Sequence, residues 1–154
     1  MMRAYDELYL GKARMTLAWM FDYAVNGCRI EIEDYYRMFL MSSYARRFET
    51  GNCSVVAGLS GVELAQRVIL EHDEQANLPD PVYSLDRSPE YWLGFYLSYY
   101  QWYNNLKFEQ ITSKVTIRDI LLMYRKYHEM DVMQFSPTSA AAKSMSPPEL
   151  PVET

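Results

Sequence analysis

The stretch Ser88-Pro89-Glu90-Tyr91-Trp92-Leu93-Gly94-Phe95-Tyr96-Leu97-Ser98-Tyr99-Tyr100-Gln101-Trp102-Tyr103, followed by Asn104-Asn105-Leu106-Lys107-Phe108, decides what the rest of the chain must accommodate. Ser88 is a strong N-cap residue. Pro89 suits the first helical position, where a missing N–H costs nothing, and Glu90 complements the positive end of the helix dipole. The pattern predicts a helix from Pro89 to Leu106, about 27 Å long at about 1.5 Å per residue. Trp92, Phe95, Tyr96, Tyr99, Trp102, Tyr103 and Leu106 recur at intervals of three and four, so one face reads as a wide aromatic stripe. Tyr91 and Tyr100 widen it, which predicts a central helix covered on most sides. Gly94 and Ser98, four apart, are expected to let a neighbouring backbone approach closely.

Toward the N-terminus, Leu10, Ala13, Leu17, Ala18, Phe21 and Ala24 form the buried stripe of a helix from Asp6 or Glu7 to about Val25, stopped by Gly27. Trp19 and Tyr23 lie off that stripe and are expected to pack on another segment. A second helix is predicted from Glu31 to Glu49, with Tyr35, Met38, Phe39, Ser42, Ala45 and Arg46 along one face and Glu31, Glu33 and Asp34 in its first turn. The short link between the two favours an antiparallel pair. Thr50 to Leu59 reads as a connector. Ser60-Gly61-Val62-Glu63 matches a capping box and opens a third helix, Gly61 to Glu71.

From Glu71 to Arg87 the chain is predicted irregular, because Leu78-Pro79-Asp80-Pro81 forbids regular structure; Val82, Tyr83 and Leu85 are expected to pin it to the body. Beyond the central helix, Thr116 and Asp119 form a second capping box, ahead of inward-facing Ile117, Ile120, Leu121 and Tyr124. Tyr127 to Phe135 reads as a short helix or turn docked through Met130, Met133 and Phe135. From Ser136 onward Pro, Ser and Ala dominate, which predicts a disordered tail. No strand pattern and no internal repeat competes. The expected architecture is all-α: a compact bundle of about five helices around the aromatic-rich helix, with a single domain over 1–135 and a tail over 136–154.

With 154 residues, 49% of them hydrophobic, the chain is long enough to bury a sizeable core. Its 14 Tyr, 3 Trp and 6 Phe mean that the core contains many hydroxyls needing partners, or that it continues into an interface. The net charge of −5, with Arg46-Arg47 the nearest thing to a basic cluster, disfavours direct nucleic-acid binding. Cys28 and Cys53 allow at most one disulfide. The absence of a signal-peptide core and of an apolar run near 20 residues predicts a cytoplasmic protein with reduced thiols and no membrane span.

No residue set amounts to a catalytic signature. Cys28, Cys53, His72 and His128 are too scattered to read as a zinc site, and no cofactor or metal is predicted. Neither cysteine carries a nucleophile signature, and Gly58-Leu59-Ser60-Gly61 lacks the Walker lysine. The best ligand-binding candidate is the helix start, where free N–H groups at Ser88 and Glu90, with Arg87 nearby, could hold an anion against a wall of Tyr91 or Trp92. The competing reading is a cap with a surface ion pair. For the stripe containing Tyr99, Tyr100, Trp102 and Tyr103, core packing ranks first, a protein-binding face second and base stacking last.

Four segments carry a resemblance. Ser60-Gly61-Val62-Glu63-Leu64-Ala65, Arg87-Ser88-Pro89-Glu90-Tyr91-Trp92-x-Gly94, Tyr99-Tyr100-Gln101-Trp102-Tyr103 and Met123-Tyr124-x-x-Tyr127-His128-Glu129-Met130-Asp131 resemble a family of small uncharacterised bacterial helical proteins. Members are encoded beside short partner proteins and ADP-ribosyltransferase-like toxins. The likeness covers about Tyr5 to Phe135 and excludes the Pro/Ser-rich tail. It implies a context rather than an active site: a non-enzymatic interaction protein, antitoxin-like or accessory within a toxin–antitoxin locus, with a neighbouring toxin as partner and self-association as a further option. The acidic balance would suit a basic partner. The alternative from another class is a small enzyme or ligand-binding domain using the site at the start of the Pro89–Leu106 helix.

Overall fold

A computed structural model describes residues 2–84 and 86–133, with side-chain surroundings through residue 126. Among the described residues all regular structure is helical. After a short 3-10 turn at Glu7–Tyr9 come α1 (Leu10–Asp22), α2 (Ile32–Met41), α3 (Ser43–Glu49), α4 (Cys53–Val56), α5 (Gly61–His72), α6 (Pro89–Asn104), α7 (Phe108–Thr112) and α8 (Ile117–Met133).

Local signals set most boundaries. Ser60 and Glu63 form the reciprocal capping box at the head of α5. At α8, Asp119 N–H donates to the Thr116 hydroxyl and Thr116 N–H to the Asp119 carboxylate. The Ser88 hydroxyl accepts the Tyr91 N–H at 3.0 Å with Pro89 in the first turn of α6. This helix ends at Asn104, two residues before Leu106, because Asn105 adopts the left-handed conformation (φ 51°, ψ 47°) that turns the chain out. α1 is continued to Gly27 by a π-helical turn over Tyr23–Gly27, in which Cys28 N–H reaches back to the Tyr23 carbonyl.

Several expectations are corrected. The helix predicted over Glu31–Glu49 is broken at Ser42, which is extended (φ −78°, ψ 160°). Its hydroxyl donates to the Phe39 carbonyl and accepts the Tyr44 N–H, so one side chain ends α2 and starts α3. The connector after Thr50 contains α4, capped by Asn52, with Val55 and Val56 fully buried. α7 adds a helix that the sequence pattern did not predict, and its Phe108 is fully buried. In the Glu71–Arg87 loop Val82 is exposed and pins nothing. Leu78 packs on the core, the Pro79 carbonyl accepts the Tyr23 hydroxyl at 2.6 Å, and Tyr83 meets Trp19 edge-on. Tyr23 and Trp19 therefore find the outside partner expected of them. α8 continues as one helix through residues 127–133, where a separate short helix or turn was expected. Leu85, the docking of Met130, Met133 and Phe135, and the tail from Ser136 lie outside the described residues.

α1 packs along α6 on one side and α5 on another. Both contacts approach through glycine. A Cβ on Gly94 would sit 2.3 Å from the Leu17 carbonyl oxygen and 2.7 Å from Ala18 Cα. One on Gly61 would sit 2.5 Å from the Thr16 carbonyl oxygen. The antiparallel α1–α2 pair expected from the short link is not the main contact. α2 meets α1 through rings, Phe21 against Tyr35 and Phe39, and through the π-turn. The face of α6 that is most deeply buried carries Leu93, Leu97, Ser98 and Gln101, each 0–1% exposed, beside Gly94. It is not the centre of the aromatic stripe. Helices in backbone contact need small residues at the crossing, which moves the large rings to the flanks. Ser98 Oγ donates to the Gly94 carbonyl at 2.7 Å, and Gln101 Nε2 to the Leu106 carbonyl at 2.8 Å and the Glu49 carbonyl at 3.2 Å, while Gln101 Oε1 is buried without a partner among the described residues.

Candidate functional site

Residues 91, 95, 99 and 103 of α6 are each four apart and so form one ridge. The Tyr91 and Phe95 rings are 6.1 Å apart and 13° from parallel; those of Tyr99 and Tyr103 are 5.8 Å apart and 26° from parallel. Arg14, from α1, enters between the pairs. Its guanidinium carbon lies 3.7 Å from the Phe95 ring centroid and 4.7 Å from that of Tyr99, and its Nε donates to the Phe95 carbonyl at 3.0 Å. At the head of the helix Arg87 lies 4.8 Å from Tyr91 and 5.1 Å from Trp19. At its foot Arg3 lies 3.6 Å from Tyr103 and 5.5 Å from Trp102. The order along the ridge is Arg87, Tyr91, Phe95, Arg14, Tyr99, Tyr103, Arg3: a ladder of rings and guanidiniums about 18 Å long at about 1.5 Å per residue.

The N-terminal segment holds the foot of the ladder in place. Ala4 N–H donates to the Trp102 carbonyl at 3.0 Å, Trp102 Nε1 returns a bond to the Tyr5 carbonyl at 2.7 Å, and Arg3 Nη1 donates to the Tyr103 carbonyl at 2.9 Å. Burial pulls the Arg14 guanidinium below its ordinary value, a shift opposed by the hydroxyls of Tyr99, Tyr91 and Tyr5. Burial pushes the Tyr5 phenol up, with Arg14 pulling the other way. Arg14 Nη2 and the Tyr5 hydroxyl are both buried without a hydrogen-bond partner among the described residues.

Of the four residues expected on an interaction face, the ladder exposes two. Tyr99 is half-buried and Tyr103 is 39% exposed. Tyr100 and Trp102, at 8% and 4%, belong to the interior, Tyr100 stacking on Tyr96. Arg3 and Arg14 carry no local signal in the sequence beyond one: Arg14 sits at the edge of the apolar stripe of α1, three before Leu17 and four after Leu10, where a charge must either snorkel or find a ring.

The residues expected to form an anion site, Arg87, Ser88, Glu90, Tyr91 and Trp92, do not converge. The Ser88 hydroxyl donates to the Asp22 carboxylate at 2.5 Å, and Asn26 Nδ2 bridges Asp22 and Glu90 at 3.1 and 3.0 Å. Two carboxylates thus already occupy the positive end of α6. Arg87 and Tyr91 turn toward Trp19. Trp92 turns the other way and stacks on Tyr124 of α8, 6.2 Å away and 25° from parallel. Beside that stack lies an open cleft of about 720 Å³ lined by Pro89, Glu90, Arg118, Leu121, Leu122, Tyr124 and Arg125. Arg118 is tied to Glu31 at 3.0 Å and to Glu33. Burial raises the Tyr124 phenol, and the Glu90 carboxylate adds to the shift.

Burial also raises the half-buried Cys28 thiol, and Cys53 is exposed. Among the described residues no group of three or more His, Cys, Asp or Glu could hold a metal ion, and no helix is long and apolar enough to cross a membrane. Comparison with protein-family models, with curated proteins and with solved structures finds no match.

Proposed function

We propose that this protein acts as a non-enzymatic interaction module, an antitoxin-like or accessory partner of a toxin encoded beside it. One observation supports this reading: Tyr99 and Tyr103 stand half-exposed on a ridge braced by Arg3, Arg14 and Arg87. Tyr, Trp and Arg are the residues that dominate binding energy at protein interfaces, and rings already held in place lose little freedom on binding. The toxin context comes from the resemblance. The test is co-expression with the toxin gene flanking this one, reading host growth and co-purification. The wild-type chain restores growth and co-purifies; Tyr99→Ala with Tyr103→Ala does neither. Failure of the wild type on both readouts overturns the proposal.

The rival reading, a small ligand-binding domain, draws on the cleft between Glu90 and Tyr124. Its size falls within the range of small-molecule sites. Soaking crystals of the protein with a fragment library checks it: repeated fragments over Leu121 and Tyr124 support it, and an empty cleft across the library removes it.

A further inference from the structure

The rings of the ladder have their faces covered. Tyr91 and Phe95 are near-parallel, as are Tyr99 and Tyr103. Arg14 lies over Phe95 and Tyr99, while Arg87 and Arg3 close the two ends. What remains for a partner is ring edges, which carry the positive side of the aromatic quadrupole, and the N–H edges of the outer guanidiniums. Neither Arg3, Arg14 nor Arg87 has a carboxylate within ion-pair distance among the described residues, unlike Arg37 and Arg118, which are ion-paired. Positive ring edges and unpaired guanidiniums together call for hydrogen-bond acceptors that carry negative charge.

Two kinds of macromolecule supply such acceptors. Single-stranded nucleic acid binds by stacking its bases on free ring faces, and those are already covered. A peptide needs no stacking platform, and two carboxylates are enough to reach both ends. We infer that the Arg87–Arg3 edge of α6 is the docking surface for an extended acidic peptide segment of a protein partner. One carboxylate sits on Arg87 and another on Arg3, and the segment between them lies over Phe95, Tyr99 and Tyr103. The ridge length of about 18 Å matches five or six residues at about 3.3 Å each. The partner contact is therefore acidic, although the whole-chain charge by itself points to a basic one. The inference deepens the interaction reading, and rests on it only in assigning the segment to a protein.

The test uses the full chain and no toxin, so it fails or succeeds independently of the growth experiment. A fluorescein-labelled hexapeptide, Asp-Glu-Val-Ala-Asp-Glu, is titrated at low salt and followed by anisotropy, beside its Asn/Gln counterpart and a labelled hexathymidylate. Arg3→Gln with Arg87→Gln is compared with Arg46→Gln plus Arg47→Gln, which removes the same charge elsewhere. Thermal melting confirms that each variant folds. The expected result is binding of the acidic peptide alone, weakened about tenfold or more by the ladder pair and unchanged by the control pair. Three results overturn the inference: no acidic-peptide binding, an equal loss in both variant pairs, or hexathymidylate binding as tightly as the peptide.

Discussion

Tyr35 and Tyr36 are consecutive on α2 and both buried, yet only one of their hydroxyls is met. The Tyr36 hydroxyl donates to the Phe108 carbonyl at 3.1 Å and lies 3.0 Å from Thr112 Oγ1, tying α2 to α7. The Tyr35 hydroxyl has no partner among the described residues, and burial drives its phenol well above the ordinary value. Removing a met hydroxyl costs about 1 kcal/mol, whereas removing an unmet buried one is neutral or favourable. Tyr36→Phe should therefore lose about 1 kcal/mol and Tyr35→Phe none. Urea titration of both variants checks this; a larger loss for Tyr35→Phe would reverse the assignment.

Gly94→Ala should destabilise the protein by about 1–3 kcal/mol. Alanine is the better helix former by about 1 kcal/mol, so propensity alone predicts the opposite sign. The added methyl would lie 2.3 Å from the Leu17 carbonyl oxygen, and backbone on both sides must move to admit it. A melting temperature equal to or above that of the wild type would show that the crossing is looser than described.

Trp102→Phe keeps an apolar ring but removes the donor to the Tyr5 carbonyl. A cost of about 1–3 kcal/mol follows from the lost bond and the smaller ring. The more specific outcome is at Ala4, whose N–H is held by the Trp102 carbonyl. Its hydrogen exchange should quicken more than that of buried amides in α5. Uniform acceleration throughout would mean a global rather than a local effect.

How much was readable in advance divides by distance along the chain. Caps at Ser60, Ser88 and Thr116 were legible because each bond spans three residues. The break at Ser42 interrupts a helical face whose periodicity runs straight through it; its two bonds use the same short range, but the apolar spacing carries no trace of them. The orientation of α6 is hard to read because large rings dominate any hydrophobic count, while the closest approach to α1 is made at Gly94. The ladder was not legible: Arg14 meets Phe95 across 81 residues and Arg3 meets Tyr103 across 100. No window of sequence contains both partners.

Glu49 gives a pH signature. Burial raises its carboxyl above the ordinary 4.5, against a lowering by the bond from the Phe108 N–H at 2.6 Å and by nearby Lys107 and Arg46. In the interval just above 4.5 the folded state then binds more proton than the unfolded state. The contribution of this group to stability is full below 4.5 and falls as pH rises through the raised value. Glu49→Gln should remove that decline, so the wild-type minus variant difference in melting temperature should fall from pH 4 to pH 7, on the order of the usual carboxylate range. A difference that stays flat or rises would contradict the direction.

The bonds from Ala4 to Trp102 and from Arg3 to Tyr103 also set an order of events during synthesis. Arg3 and Ala4 have their final contacts on a helix translated about a hundred positions later. Closing so long a loop is entropically costly until its ends are already near each other. The segment around Arg3 and Ala4 should therefore be the last part of the bundle to settle, remaining open to proteases or chaperones until α6 has emerged and packed.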